Sequence, residues 1–368
     1  MKHNPVNERI KRQYFIFLKD AKGQNSASID GVAMALSRFE KYNGHKDFKR
    51  FHFEQAVGFK KYLAKQLNSN TNKPLSKATL NTTLRHLKVF FQWICLQPGY
   101  KSRLNYADME YFNLSEKETR VANARREQRV PTIEQVEHVI ESMPANTVVE
   151  RRNRALIAFT LLTGARDAAI ASFRLKHIDL DNQRVIHDAR EVKVKFSKTF
   201  NTYFFPVSEQ VVEIVIEWVE YLRSELLYGN DDPLFPKTTM RINGRQEFEV
   251  SGVGRECWST AGPIRKVFKK AFADAGVEAF NPHSFRKTLV TLGEQVCKTP
   301  EEFKAWSQNL GHEQVLTTFT SYGEVQPQKQ SEIFKELRTP KEEELNSIQQ
   351  IAEAVAKEMR KQGNIFTG

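Results

Sequence analysis

The sequence predicts a mainly helical protein of two domains with a small antiparallel sheet. The chain has 368 residues, of which 40% are hydrophobic, and single cores seldom grow much past about 250 residues. Apolar residues recur at helical spacing both before and after a polar stretch at 115–130. Between 177 and 207, β-branched and aromatic residues separated by turn signals indicate short strands instead.

The first domain is predicted to consist of helices joined by polar turns. Its helical segments are 7–21, 26–44, 52–67 and 76–96. The last of these is the clearest, because its apolar residues follow helical spacing and Ser76 stands at a suitable N-cap position. The residues of this apolar stripe are Leu80, Leu84, Leu87, Phe91 and Ile94.

The same helix has a basic face that is predicted to contact phosphates. At 100° per residue, four polar residues fall within an arc of about 80° beside the apolar stripe. They are Lys77, Asn81, Arg85 and Lys88. The chain has a net charge of +12, and residues 1–115, with 20 Lys and Arg against eight Asp and Glu, carry all of it. An ordinary solvated face is the alternative, but this concentration of charge favours a polyanionic partner such as nucleic acid.

The stretch 115–130 is almost devoid of apolar residues, and we interpret it as an exposed linker. A second domain is predicted to begin at Pro131 with a helix, followed by an apolar helix that ends at Thr163-Gly164. Candidate strands come next, and from 208 onward the pattern is helical again, with a Gly-rich loop at 252–263. The candidate strand segments are 177–190, 191–200 and 202–207.

The cysteines and the amino terminus limit the class of protein. The three cysteines are far apart in sequence and form no CxxC pair, so neither a zinc site nor a disulfide framework is expected. The first residues lack the apolar run of a signal peptide, and no stretch of about 18 apolar residues could span a bilayer. We therefore expect a cytoplasmic protein without membrane spans.

Four separated motifs of the second domain suggest a common chemistry. They are TGAR after the apolar helix, FSKTFNTYFFPV at a predicted hairpin, HSFR at a predicted helix start, and LGH with a later tyrosine. Each motif alone would occur by chance in many proteins, but their order and separations resemble the catalytic set of the tyrosine recombinases, the lambda-integrase-like site-specific recombinases. The matching residues are Arg166, Lys198, His283, Arg286, His312 and Tyr322.

The resemblance implies both an architecture and an activity. It implies a helical core-binding domain at 1–114, a linker at 115–130, a mixed α+β catalytic domain at 131–339 and a helical tail at 340–368. The implied function is site-specific recombination of double-stranded DNA through a 3′-phosphotyrosine intermediate, of the integrase type and for a mobile element. No metal or other cofactor is implied.

In this family pattern Tyr322 is the nucleophile, since a covalent ester conserves the energy of the broken phosphodiester. Its place in a polar, Thr-rich turn suits a hydroxyl that must reach a DNA backbone. Arg166 and Arg286 would stabilise the charge on the non-bridging oxygens of the pentavalent transition state with fixed guanidinium forks.

Lys198 would protonate the leaving 5′ oxygen, with the nearby Lys195 as the alternative. His283 and His312 would donate to phosphate oxygens, and His283 is also a candidate acceptor of the tyrosine proton. The sequence departs from the family where a carboxylate commonly follows the first arginine by three residues, because that position is Ala169 and the nearest carboxylate is Asp167. This leaves open how the site is oriented.

Two other functions are compatible with these motifs. A type IB topoisomerase shares the tyrosine chemistry, and a DNA-binding protein that keeps the fold without cutting is the non-enzymatic alternative.

The tail has an apolar stripe that is expected to dock on a neighbouring subunit of a tetramer on two DNA sites, with folding back on its own domain as the alternative. The stripe consists of Leu345, Ile348, Ile351, Ala352, Val355 and Met359.

Overall fold

The computed structural model describes residues 3–69, 71–124, 129–194 and 198–312. The predicted nucleophile Tyr322, the alternative lysine Lys195 and the predicted tail at 340–368 therefore lie outside the described residues. The chain divides into two units, Met1–Arg126 and Glu127–Gly368, each with its own core. None of the described helices combines the length and the apolar character that a membrane crossing requires.

The first unit is helical, and its four predicted helices are confirmed. Its core is rich in aromatic residues, and rings such as Phe39 and Phe59 pack edge to face with centroids 5.2 Å apart. A π-helical turn at Phe17–Ala21 and 3₁₀ turns at Phe48–Arg50 and Tyr106–Phe112 connect the helices. The helices are α1 (Pro5–Ile16), α2 (Ser26–Asn43), α3 (Phe53–Ala64), α4 (Lys77–Ile94) and α5 (Glu116–Asn123).

Helix α4 is formed as its sequence predicts. The Ser76 hydroxyl accepts a hydrogen bond from the Thr79 amide, which caps the first turn. All five residues of the predicted apolar stripe are buried, together with Thr83 and Phe90. The exposed residues of α4 are Ala78, Thr82, Arg85 and Val89.

Helix α5 lies in the stretch 115–130, whose composition predicts an exposed linker. Ser115 caps it by accepting from the Glu118 amide, and Glu116 and Glu118 place negative charge at the positive end of the helix dipole. The helix packs against α4 but buries none of its own residues. Because it has no apolar stripe, the periodicity that reveals a helix is absent from its sequence.

The second unit combines helices with an antiparallel sheet. One helix of this unit, α7 (Val148–Thr163), is buried at every residue from Ala155 to Thr163, as expected for the centre of a core. An antiparallel sheet is present as predicted, with the strand order β1 (Ile178–Asp179), β2 (Arg184–His187) and β3 (Phe200–Tyr203), but its strands are not the predicted segments. The first two strands both lie within 177–190, and the described residues of 191–200 contribute only Phe200, because the chain turns where the amides of Glu191 and Val192 donate to the carbonyl of Asp188. The helices are α6 (Ile133–Ser142), α7 (Val148–Thr163), α8 (Asp167–Ile170), α9 (Glu209–Ser224), α10 (Gly262–Asp274), α11 (Pro282–Val296) and α12 (Pro300–Asn309).

A second, two-stranded sheet is a correction to the predicted helical pattern after 208. Strands β4 (Thr238–Ile242) and β5 (Phe248–Val253) pair antiparallel, and the turn between them contains Asn243-Gly244. This dipeptide is a strong hairpin signal. Apolar and charged residues alternate in Met240-Arg241-Ile242 and in Phe248-Glu249-Val250, which is the strand signal that this hairpin offers in the sequence.

Candidate active site

Arg286 lies at the centre of the candidate site. It is on the second turn of α11, whose first turn is capped by the Asn281 side chain and begins with Pro282. Arg286 is only 5% exposed, and its guanidinium donates to the carbonyl of Gly164 at 2.6 Å and to the carbonyl of Leu310. These bonds connect α11 to the ends of α7 and α12.

Two glycines allow the ends of these elements to approach one another. Gly164 ends α7 with a φ of +56°, and a Cβ atom there would lie 2.9 Å from Leu310. Gly311 follows α12 with a φ of +67°, and its Cβ would lie 2.6 Å from the Phe200 ring. Only glycine adopts this backbone conformation without steric cost. Arg166 follows the first glycine by two residues, and His312 follows the second directly.

His312 contacts Arg286 through a ring nitrogen. Its Nε2 lies 3.1 Å from Nη2 of Arg286, and because a guanidinium has no acceptor, Nε2 must accept the hydrogen bond. Burial and the charges of Arg286, Arg166 and His283 lower the pKa of His312 to about 4. His312 is therefore neutral near pH 7, with its proton on Nδ1.

His283 and Arg166 belong to the same cluster. Partial desolvation and the charges of Arg286 and Arg166 lower the pKa of His283, although its side chain remains exposed. Arg166 is half-buried at the start of α8, and burial lowers its pKa, but arginine stays protonated in proteins. Its guanidinium makes no hydrogen bond to any residue that the structure describes, so its donors are available to an anion.

Lys198 is in the connection between β2 and β3, two residues before β3 begins. Its exposed side chain lines a cavity of about 760 Å³ that His312 and Phe200 also line. The neighbouring Lys193 instead donates to the carbonyl of Ser259 at 3.0 Å. Geometry therefore favours Lys198 over Lys193 as the cation that shares a surface with His312.

Asp167 does not replace the carboxylate that the family commonly has. Its Oδ2 accepts from Nε of Arg265 at 2.7 Å, and its Oδ1 accepts from the amide of Ala168. Ala169 is buried and lines a small cavity that Arg166 and Arg286 also line. No carboxylate lines this cavity in the described part of the chain.

His187 is a residue of the site that the sequence analysis missed. It lies on the buried face of β2, where burial alternates residue by residue, and its ring stacks on Phe200 with centroids 4.2 Å apart. Burial and the charges of Arg286 and Arg166 lower its pKa to about 3. Because side chains alternate along a strand, His187 shares the face of Val185, and this was the available signal in the sequence.

In the first unit, the predicted basic face of α4 has partners of its own. Lys77 pairs with Glu118 of α5 at 2.6 Å, and Lys88 pairs with Glu110 at 2.7 Å. Arg85 is exposed and has no ion pair with a described residue. Asn81, Arg85 and Lys88 line one groove of about 780 Å³. Arg85 is thus the residue of this face with a charge that no described residue offsets.

In chemical terms, the site of the second unit suits an anion with several oxygens. Two guanidiniums lie beside two histidines of lowered pKa, which as neutral rings can each donate or accept a proton. Fixed guanidiniums stabilise negative charge that develops during a reaction, and Lys198 can supply a proton from the adjoining surface.

Comparison with known proteins relates the second unit to a family. The model of the phage integrase family matches residues 130–329, a range that contains all six candidate residues. The tyrosine recombinase XerC of Lactobacillus delbrueckii subsp. bulgaricus (strain ATCC BAA-365 / Lb-18) is 23% identical over 251 residues, which covers 67% of this chain and 72% of that protein. XerC of Lactobacillus leichmannii is also 23% identical, over 253 residues, with the same coverage.

Solved structures share the fold. A lambda integrase (75–356) dimer bound to a COC′ core site has a TM-score of 0.57 at 10% identity, covering 87% of this chain and 96% of that one. The XerH site-specific recombinase bound to a palindromic difH substrate has a TM-score of 0.55 at 18% identity, covering 84% and 79%.

Proposed function

Because the chain belongs to the phage integrase family and is a tyrosine recombinase, we propose that it cuts and rejoins double-stranded DNA through a 3′-phosphotyrosine intermediate. The observation that carries this proposal is the cluster of Arg166, Arg286, His283 and His312 beside a surface lined by Lys198. The nucleophile proposed is Tyr322, ten residues beyond His312 in the sequence.

In the proposed cleavage step, the Tyr322 oxygen attacks the scissile phosphorus and loses its proton. A bond forms between phosphorus and the tyrosine oxygen, and the bond from phosphorus to the 5′ oxygen breaks as Lys198 gives that oxygen a proton. Arg166 and Arg286 stabilise the charge on the non-bridging oxygens. His283 has an exposed ring of lowered pKa, so it can accept the tyrosine proton as a neutral base, while His312 can donate Nδ1–H to the phosphate.

Replacing Lys198 with Ala should slow cleavage of ordinary DNA by on the order of 10²–10⁴-fold, the usual contribution of a general acid. A substrate whose scissile 5′ oxygen is replaced by sulfur should restore the rate, because a thiolate leaves without being protonated. Single-turnover cleavage of both substrates is the measurement.

The matched control for this prediction is Lys193→Ala, since Lys193 is on the same connection but donates to Ser259. It should cut both substrates at the wild-type rate. Sulfur rescue of Lys195→Ala, with no defect in Lys198→Ala, would transfer the role to Lys195.

For strand exchange, we propose a tetramer that holds two DNA sites. In each exchange, the free 5′ hydroxyl of a partner strand attacks the phosphotyrosine, so the new phosphodiester forms as the tyrosine oxygen leaves. The segment at 340–368 is proposed to dock on a neighbouring subunit, because its sequence has the apolar stripe of an amphipathic helix. The basic face of α4 is proposed to contact DNA phosphates, with Arg85 as its exposed cation.

A single mobility-shift titration on a two-arm site tests the proposals for the α4 face and for the tail. Arg85→Glu should weaken binding to one arm and lower the slope of log affinity against log salt by about one unit, since one phosphate contact is lost. Deletion after Thr339 should leave one-arm binding and its salt slope unchanged but prevent the doubly occupied complex and the synapse.

Each variant is the control for the other in this experiment. An unchanged salt slope in Arg85→Glu would exclude the α4 face from the interface. A truncated chain that forms the synapse as readily as the full chain would show that the tail does not bridge subunits.

For the biological outcome, we propose integration and excision of a mobile element, supported by the integrase family to which the chain belongs. The DNA beside the gene tests this proposal. Attachment-site repeats that flank an element containing the gene are expected. A gene that lies outside any such element would argue for another outcome, such as resolution of dimers.

A further inference from the structure

The hydrogen bonds of Thr202 determine which nitrogen of His187 carries a proton. The Thr202 hydroxyl donates to the carbonyl of Asn309 at 2.9 Å, which uses its single hydrogen. Its oxygen also lies 3.2 Å from Nε2 of His187, so in that contact the hydroxyl must accept. Nε2 of His187 therefore carries the hydrogen.

The other nitrogen of His187 is then left with a lone pair. The side chain is 3% exposed, and the nearby charges of Arg286 and Arg166, together with burial, lower its pKa to about 3. The ring is thus neutral near pH 7, with Nδ1 as an acceptor. Nδ1 is buried and has no hydrogen-bond partner among the described residues. An unsatisfied buried acceptor is destabilising, so a partner is expected in solution.

A small cavity of about 10 Å³ has His187 in its wall. Its walls include His187, Thr202, Ala169, Arg166 and Arg286. Such a volume is close to the minimum for one water molecule, which also needs two to four polar partners. His187 offers an acceptor, and Arg166, whose guanidinium has no hydrogen bond to a described residue, offers donors.

We propose that His187 is a positioning residue for Arg166: Nδ1 accepts from one water held in this cavity, and that water accepts from the Arg166 guanidinium. The side chain of Ala169 supplies no acceptor here. A neutral acceptor orients the guanidinium without neutralising the charge that the transition state requires. This inference rests on the proposed function, in which Arg166 contacts the scissile phosphate.

Two substitutions of His187 separate its two nitrogens. His187→Asn places an oxygen near the position of Nδ1 and loses the contact with Thr202, whereas His187→Gln reaches Thr202 and loses the acceptor in the cavity. On a suicide substrate, His187→Gln should cut more slowly by up to about a hundredfold, the effect of a misplaced catalytic group. His187→Asn should stay within a few-fold of wild type, and both should bind DNA normally. A purely structural histidine would give equal defects, with the melting temperature falling in parallel.

A double-mutant cycle tests whether His187 acts through Arg166. In the Arg166→Ala background, His187→Gln should cause less than about a twofold further loss, because the group that it positions is absent. An undiminished further loss, or wild-type cleavage by His187→Gln itself, would overturn the inference.

Nitrogen NMR of histidine-labelled protein provides a readout that does not require cleavage. The neutral Nε2–H tautomer of His187, with Nδ1 accepting a hydrogen bond, is expected, and a proton on Nδ1 would overturn the inference. Failure of the wild-type protein to form any covalent adduct would instead contradict the proposed function, so the two failures are distinguishable.

Discussion

Tyr322→Phe will abolish the covalent protein–DNA adduct while leaving DNA affinity unchanged. The phenol oxygen forms the bond to phosphorus in the proposed mechanism, and the ring that remains in phenylalanine has no means to replace it. Trapping on a suicide substrate measures the adduct, and a mobility-shift titration on the same DNA measures the affinity.

Tyr203→Phe is a matched control, because Tyr203 is an exposed tyrosine on β3 whose backbone is fixed by Asn309. It should form the adduct at the wild-type rate. Adducts that persist in Tyr322→Phe, or that disappear in Tyr203→Phe, would show that the nucleophile is assigned to the wrong residue.

The two arginines should differ in how their loss affects the protein. Arg166→Ala should slow cleavage by about 10²–10³-fold or more, because transition-state charge is left unpaired. Its melting temperature should remain near that of wild type, since the guanidinium makes no hydrogen bond to a described residue. Arg286→Ala should lose at least as much activity and should also melt at a lower temperature, because the carbonyls of Gly164 and Leu310 lose their donor.

Single-turnover cleavage and thermal unfolding of both variants provide these measurements. A loss of less than about tenfold in cleavage would be incompatible with a contact to the reacting phosphate. Equal melting temperatures for Arg166→Ala and Arg286→Ala would contradict the proposed structural difference between them.

Most of this fold can be predicted from the sequence because many of its elements have local sequence signals. The apolar stripe and Ser76 cap of α4 are present in one short segment, and the β-branched and aromatic residues of the β1-β2-β3 sheet are separated by turn signals. Helix α5 has a serine cap at Ser115 but no apolar stripe, since it buries no residue of its own. Its stability depends on Ser115 and on packing against α4, neither of which changes the hydrophobic pattern.

The candidate site could be predicted from the sequence only in part, because it depends on contacts between residues that are far apart in the chain. Arg166 and Arg286 could be selected from the sequence because their motifs resemble a known family. His187 could not, because its importance depends on Thr202, on a cavity beside two guanidiniums and on the absence of a carboxylate at Ala169. These neighbours come from separate elements of the second unit, and only the folded chain places them together.

Mass spectrometry of the trapped adduct identifies the residue that bonds to DNA. The wild-type protein is incubated with a suicide substrate and digested with protease and nuclease, and the peptide that retains a nucleotide is sequenced. One modified peptide is expected, with the 3′-phosphate attached to Tyr322. A nucleotide attached to any other residue, or the absence of an adduct from DNA that carries the recombination site, would contradict it.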